Sequence, residues 1–211
     1  MTTVRHNPPG GPSRRPAEGA APVLKPDYPV RTPRLALRPF TADDLDALYE
    51  FHRLADVTRY LYHEPRNRAE VSVLLEGKMT ASVLTADGKA LCLAAELATT
   101  GQLVGDCTLF WLSWAHQQGE IGFIFHPAFQ GRGLATEAAA ALLRLGFEGL
   151  GLHRIIGRCD GRNRGSARVM EHNSMRREAH LVENEFVKGE WTDELIYAIL
   201  RREWDGSGQP G

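Results

Sequence analysis

Glu120-Ile-Gly-Phe-Ile-Phe-His-Pro-Ala-Phe-Gln-Gly-Arg-Gly-Leu-Ala-Thr-Glu-Ala138 reads as a strand, a short loop of small residues and the opening of a helix. Alternation sets Glu120, Gly122 and Ile124 on one face of the strand and Ile121, Phe123 and Phe125 on the other, and Pro127 ends it. The helix is expected from about Gly133 to Glu148, with its first-turn N–H groups unpaired. Such a turn suits phosphate oxygens, because the amides converge and the helix dipole favours negative charge. Gly131 and Gly133 allow close backbone approach and Arg132 adds a charge; the same glycines equally suit a plain tight turn. Two familiar phosphate loops are excluded. G-x-x-x-x-G-K-[ST] is absent, and Gly131-x-Gly133-x-x-Thr136 lacks the third glycine of the dinucleotide fingerprint.

Upstream, three strand-like runs end at this segment: Ala90 to Leu97, Leu103 to Phe110 and Glu120 to Phe125, the first two separated by Thr99-Thr-Gly101. They suggest a meander. Before them, Leu35, Leu37 and Phe40 mark a first strand, and Thr41 with Asp43 and Asp44 suggests a capped helix start. A second helix is expected over Arg68 to about Leu84, with Val71, Leu74, Leu75 and Met79 inward. Downstream the pattern predicts a strand over Arg154 to Cys159, a helix over Arg164 to His172, and strands around Glu183 to Val187 and Leu195 to Leu200, joined by a Lys188-Gly189 turn. The order is an α+β mixture whose strand-helix-strand crossover implies one parallel pair.

Residues 1–29 hold seven of the chain's twelve prolines and few large apolar side chains, so they read as a flexible leader; 30–204 form the domain and 205–211 a frayed tail. The longest apolar run, Ala138 to Leu143, is far short of the roughly 20 residues that span a bilayer, and no apolar segment follows Arg5, Arg14 and Arg15 as in a signal peptide. A cytoplasmic setting without a membrane partner is expected. Cys92, Cys107 and Cys159 stand far apart and imply reduced, mostly buried thiols and no metal site. A net charge of -1 and a pI near 6.7 argue against nucleic acid as the main ligand.

Gln130-Gly-Arg-Gly-Leu-Ala135, between strand and helix, resembles the Q/R-x-x-G-x-G/A signature of the GCN5-related N-acetyltransferases. Thr32-Pro-Arg-Leu-Ala-Leu-Arg-Pro-Phe40, Asn163-x-x-Ser166 and Gly189-Glu-Trp-x-Asp193, with Tyr197 and Glu203-Trp204, look like the branch that acetylates ribosomal-protein alanines. The likeness runs from about Val30 to Trp204. It implies the acyl-coenzyme A acyltransferase fold: a mostly antiparallel central sheet with a splayed parallel pair, flanked by helices. It further implies acetyl-coenzyme A as cosubstrate without a metal. Gln130, Gly131, Arg132, Gly133, Leu134 and Ala135 would wrap its pyrophosphate, Ile124 and Phe125 would meet its pantetheine arm by main chain at a bulge, and Asn163 would touch it through its amide. Asn163 also suits a simple helix cap.

Acetyl transfer needs a base for the amine, a donor for the thioester oxygen and, on departure, a proton for the thiolate. A main-chain N–H near Phe123 to Phe125 is the expected oxyanion donor. Glu120 is the first candidate base, against a solvated or salt-bridged role, with Glu96 and Asp193 after it. The tyrosine that many relatives carry seven residues past the asparagine is replaced by Met170, so Ser166 is the substitute acid. Asn173-Ser-Met175 stands where relatives often have a glycine and an aromatic residue. Cys159 as a nucleophile, and His126 or His153 as catalytic groups, rank below. His52, His63, Trp111 and Trp114 are candidates for the border of an acceptor pocket. The reading is an N-acetyltransferase for a primary amine, a protein N-terminus or a small molecule, acting as monomer or homodimer; the alternatives are a non-catalytic acyl-coenzyme A sensing module and a nucleotide-phosphate binder.

Overall fold

The computed structural model describes residues 22–206. Eight strands form one sheet in the order β1-β2-β3-β4-β5-β6-β8-β7. They are β1 (Val30–Arg31), β2 (Leu35–Arg38), β3 (Ala90–Leu97), β4 (Leu103–Ser113), β5 (Gln118–Phe125), β6 (Arg154–Asp160), β7 (Arg176–Val187) and β8 (Glu190–Leu200). The helices are α1 (Leu45–His52), α2 (Ala55–Thr58), α3 (Arg68–Met79), α4 (Leu134–Arg144), α5 (Arg164–His172) and α6 (Arg201–Gly206). None of them is long and apolar enough to cross a membrane.

All pairs are antiparallel except β5 with β6. The parallel ladder holds only Gln118↔Arg154, Gly119↔Ile155 and Glu120↔Ile156. Beyond it β6 stays with β8 through Asp160↔Glu194, while β5 stays with β4 through Phe125↔Gly105. The two strands therefore part. The expected bulge in β5 is absent: its register with β4 is unbroken from Gly105 to Trp111, and the shifts fall at Trp111/Ser113 and, in the neighbouring pair, at Ala95/Glu96. The wedge opens because each strand keeps its outer partner.

The sheet is covered on both faces. On one, α4 buries Leu134, Ala138, Ala139, Leu142 and Leu143 against Cys107, Leu109, Ile121, Phe125 and Ile155, joined by Met170 of α5. On the other, α1 buries Leu48 and Phe51, three apart, and α3 buries Val71 and Leu75, four apart, against Cys92, Ala94 and Leu103. Each fully buried leucine, isoleucine, valine, phenylalanine or methionine among them contributes roughly 1.5–3 kcal/mol, and the alanines less. Met79, expected inward, is exposed, because α3 ends there and the chain turns toward the sheet. Thr41 caps a 3-10 turn, Ala42–Asp44, ahead of α1, and Asp44 is buried: its carboxylate takes both terminal nitrogens of Arg38, at 2.7 and 2.6 Å.

The expected leader is corrected at its C-terminal end. Leu24 is buried and exchanges two 2.9 Å main-chain hydrogen bonds with Leu84, and the Tyr28 hydroxyl donates to the Ser82 carbonyl. Residues 1–21 lie outside the described residues. At the other end α6 carries the helix to Gly206, and 207–211 lie outside.

Candidate functional site

The loop after β5 is built from local bonds. His126 Nδ1 accepts the Ala128 N–H and caps the Pro127–Phe129 turn. Gln130 Nε2 donates to the Phe125 carbonyl at 2.9 Å, and the Arg132 guanidinium lies 5.4 Å from the Phe129 ring centroid. Gly131 and Gly133 have φ of 73° and 76°, a region that L side chains rarely adopt, so glycine is needed there for conformation. Nothing stands within 4 Å of a Cβ placed on Gly131. Gly133 is also the N-cap of α4 and offers no side chain to its first N–H groups, which stay open to a ligand.

The loop forms one end of a cleft of about 1100 Å³. Ile124, Phe125, Gln130, Gly131, Gly133, Leu134, Ala135, Asn163 and Ser166 line it; Glu120 and Arg132 stand outside the lining. Arg31, Arg34, Arg144 and Arg168 outnumber Asp56 and Glu137, so the walls favour an anion. Asp56, Val57, Tyr60 and Leu61, from α2 and the loop after it, line it together with Phe123. The donor set of this cleft, left-handed glycines, open helix amides and arginines, fits a diphosphate.

The strand register decides which amides face the wedge. His126 N–H donates to Val104 of β4, so by alternation Ile124 turns its N–H and C=O to β4, whereas Phe123 and Phe125 turn theirs to the opening. Ile124 lines the cleft, but its main-chain groups are turned to β4, and Phe123 is the neighbour whose main-chain groups face the opening. Asn163 does cap α5: its Oδ1 accepts the Ser166 N–H at 3.1 Å, while its Nδ2 carries two donors on the cleft wall. Ser166 is half-buried beside it. Met170 is 1% exposed, its sulfur in the space a Cβ on Gly157 would take, so position 170 supplies no proton donor. Within the stretch Asn173-Ser-Met175, Ser174 has a left-handed φ of 59°, and Asn173 Nδ2 donates to the Thr136 carbonyl of α4 and to the Val169 carbonyl of its own helix.

Glu120 is paired with Arg158 through both carboxylate oxygens, and the other candidates are engaged as well. Glu96 takes Arg38 at 2.5 Å; Asp193 accepts the Glu183 N–H and pairs with His180 at 2.6 Å. Burial pushes the Cys159 thiol up to about 11, which removes it as a nucleophile at neutral pH. Trp111 is fully buried and Trp114 packs partly buried on the core, and neither lines the cleft. His52 is buried too, its Nε2 3.6 Å from Asp106, with His63 stacked on it at 6.0 Å.

Asp106, unmarked in the sequence reading, is 3% exposed within β4 and pairs with Lys78 at 2.8 Å. Burial raises its carboxyl, but the Lys78 ammonium and His52 more than offset this and hold it below the ordinary value. Glu194 was missed likewise. Its side chain is 5% exposed, accepts from Asn184 and pairs with Arg158, and burial with Glu185 nearby raises its carboxyl. A lone acid within an apolar strand run is a signal that could have found Asp106; Glu194 follows Asp193 and carries no such mark.

A family profile described as the acetyltransferase (GNAT) domain matches residues 34–176. The chain is 32% identical over 176 residues to YnaD of Bacillus subtilis (strain 168), named an uncharacterized N-acetyltransferase, covering 83% of this chain and 99% of that protein. The crystal structure of a GNAT-family acetyltransferase from Bacillus anthracis superposes with a TM-score of 0.74 at 32% identity, over 82% of this chain and 98% of that one. A spermidine N-acetyltransferase from Vibrio cholerae, solved with CoA and spermine, superposes with a TM-score of 0.69 at 24% identity, over 82% and 99%, which speaks for the fold.

Proposed function

Because the chain belongs to the GNAT family of acetyltransferases, we propose that it moves the acetyl group of acetyl-coenzyme A onto a primary amine by direct attack in a ternary complex. The acceptor is a protein N-terminus or a small-molecule amine. One observation carries the reading: the β5–β6 ladder stops at Glu120↔Ile156, and the freed β5 edge opens into a cleft that ends at the glycine loop.

When bound, the cosubstrate supplies a thioester. Gln130 to Ala135 grip its diphosphate through main-chain N–H groups, and Arg132 adds charge from outside the lining. Phe123, with both its main-chain groups, and the Phe125 N–H face the pantetheine arm, the Phe125 carbonyl being taken by Gln130, and the Phe123 N–H serves as the donor to the oxyanion. Asn163 Nδ2 contacts the arm from α5. Glu120 takes the amine proton through water, and Ser166 gives a proton to the departing sulfur. Holding both reactants in one cleft removes translational freedom and supplies much of the rate gain. The reading includes a cytoplasmic setting.

The test is release of free thiol from acetyl-coenzyme A with a panel of amines and N-terminal peptides. Release with at least one acceptor is expected. Binding without release across the panel and several acyl donors would contradict turnover and favour a sensing module.

A further inference from the structure

Glu137 stands in the first turn of α4, next to the amides that the proposed reading gives to a diphosphate. A carboxylate there stabilises the bare helix end but repels an arriving anion. Arg34, from the turn between β1 and β2, meets it. Its Nε donates to Glu137 Oε2 at 2.7 Å and its main-chain N–H to Oε1 at 2.7 Å, while Thr32 Oγ1 donates to Oε1 at 2.5 Å. Burial raises the Glu137 carboxyl, but Thr32 and Arg34 outweigh it and hold the group ionised below its ordinary value.

The same guanidinium reaches the loop. Nη1 donates to the Arg132 carbonyl at 2.7 Å, between the two left-handed glycines, and Nη2 is 3.3 Å from where a Cβ on Gly133 would stand. One side chain thus fastens the loop, cancels the carboxylate and brings Nη2 to the surface over Gly133. A lysine has a single nitrogen in place of the planar fork whose Nε and Nη1 reach the two partners here. We propose that Arg34 is a positioning residue for the coenzyme diphosphate: it sets the loop's conformation and neutralises Glu137, which would otherwise repel the ligand. This rests on the assignment of the Gln130–Gly133 loop to the diphosphate.

The experiment combines calorimetric titration with coenzyme A and steady-state kinetics on wild type, Arg34→Ala, Arg34→Lys and the Arg34→Ala/Glu137→Gln double variant. Arg34→Ala should weaken coenzyme affinity and raise the KM for acetyl-coenzyme A by about tenfold or more, as expected for lost charged hydrogen bonds, with kcat at saturation little changed. Arg34→Lys should recover only part of the loss. Adding Glu137→Gln to Arg34→Ala should regain several-fold, because the uncompensated charge is gone. Unchanged affinity in Arg34→Ala, a deeper loss in the double variant, or a fall in kcat at constant KM would each overturn the proposal. If Arg34→Ala does not fold, wild type against Arg34→Lys decides, and an equal KM overturns it. A wild-type protein that binds no coenzyme A would instead strike the assignment of the loop.

Discussion

Both carboxylate oxygens of Glu120 accept hydrogen bonds from the Arg158 guanidinium, Nε to Oε1 and Nη2 to Oε2, each at 3.1 Å. Glu120 stands in the last rung of the parallel ladder and Arg158 two residues beyond it on β6, where the strands part. Arg158 also reaches Glu194 at 3.5 Å, so two acids share one cation. Arg158 is 43% exposed, and water screens the pair, so its net worth to stability is about 0–1 kcal/mol.

Glu120→Gln therefore separates chemistry from stability. Loss of a general base should lower kcat/KM by about 100-fold or more in the thiol-release assay, with the melting temperature nearly unchanged. Activity within a few-fold of wild type would leave Glu120 a salt-bridge partner only.

The Lys78–Asp106 pair makes a stability prediction. Lys78→Met strands a buried carboxylate and should cost about 3–5 kcal/mol in denaturant unfolding. The wild-type pair also fixes the sign of the pH dependence. Asp106 lies below its ordinary value in the folded chain, so its contribution is present above the unfolded pKa and is lost as pH falls through the folded one. For Lys78, burial lowers the ammonium's pKa but Asp106 outweighs it; the raised value keeps its contribution until pH climbs through the folded pKa. The pair should leave stability flat across neutral pH, and Lys78→Met should remove its share of the acid and alkaline slopes.

Gly105 faces Phe125 across the last β4–β5 rung, and a Cβ on it would lie 2.8 Å from the ring. Gly105→Ala should force the ring aside at about 1–3 kcal/mol and raise the KM for acetyl-coenzyme A by shifting the mouth of the wedge. Unfolding curves and kinetics read the two effects separately.

Ser174 holds a left-handed φ of 59° just past the end of α5. Ser174→Gly should relieve strain of about 1 kcal/mol and raise the melting temperature. A lower melting temperature would mean that the serine side chain contributes more than the backbone loses.

Much of the architecture was legible because local rules and tertiary packing agree. Ala90–Leu97 and Arg164–His172 have the expected bounds, the second because Asn163 caps its own helix. The parallel pair followed from the crossover. Leu24 was hidden because a single leucine among prolines carries no period, although it fills a core position against Leu84. The first half of β7 is largely solvent-facing and charged, so alternation gave no signal before Glu183. Within the site, the loop shape and the Asn163 cap were readable from glycine and asparagine chemistry. The Arg34–Glu137 brace and, outside the cleft, the partners of Asp106 and Glu194 were not, since each pairing joins residues far apart in sequence.

In the proposed function the loop with glycines at 131 and 133 holds the coenzyme diphosphate. Calorimetric titration of acetyl-coenzyme A into wild type, Gly133→Ala and Gly133→Glu tests it most directly, since both variants share the strain at φ 76° and only one adds a carboxylate. Wild type should bind, and the affinity of Gly133→Glu should fall at least about tenfold below that of Gly133→Ala, from like-charge repulsion at the helix end. Equal affinities for the two variants, on folded protein, would contradict it.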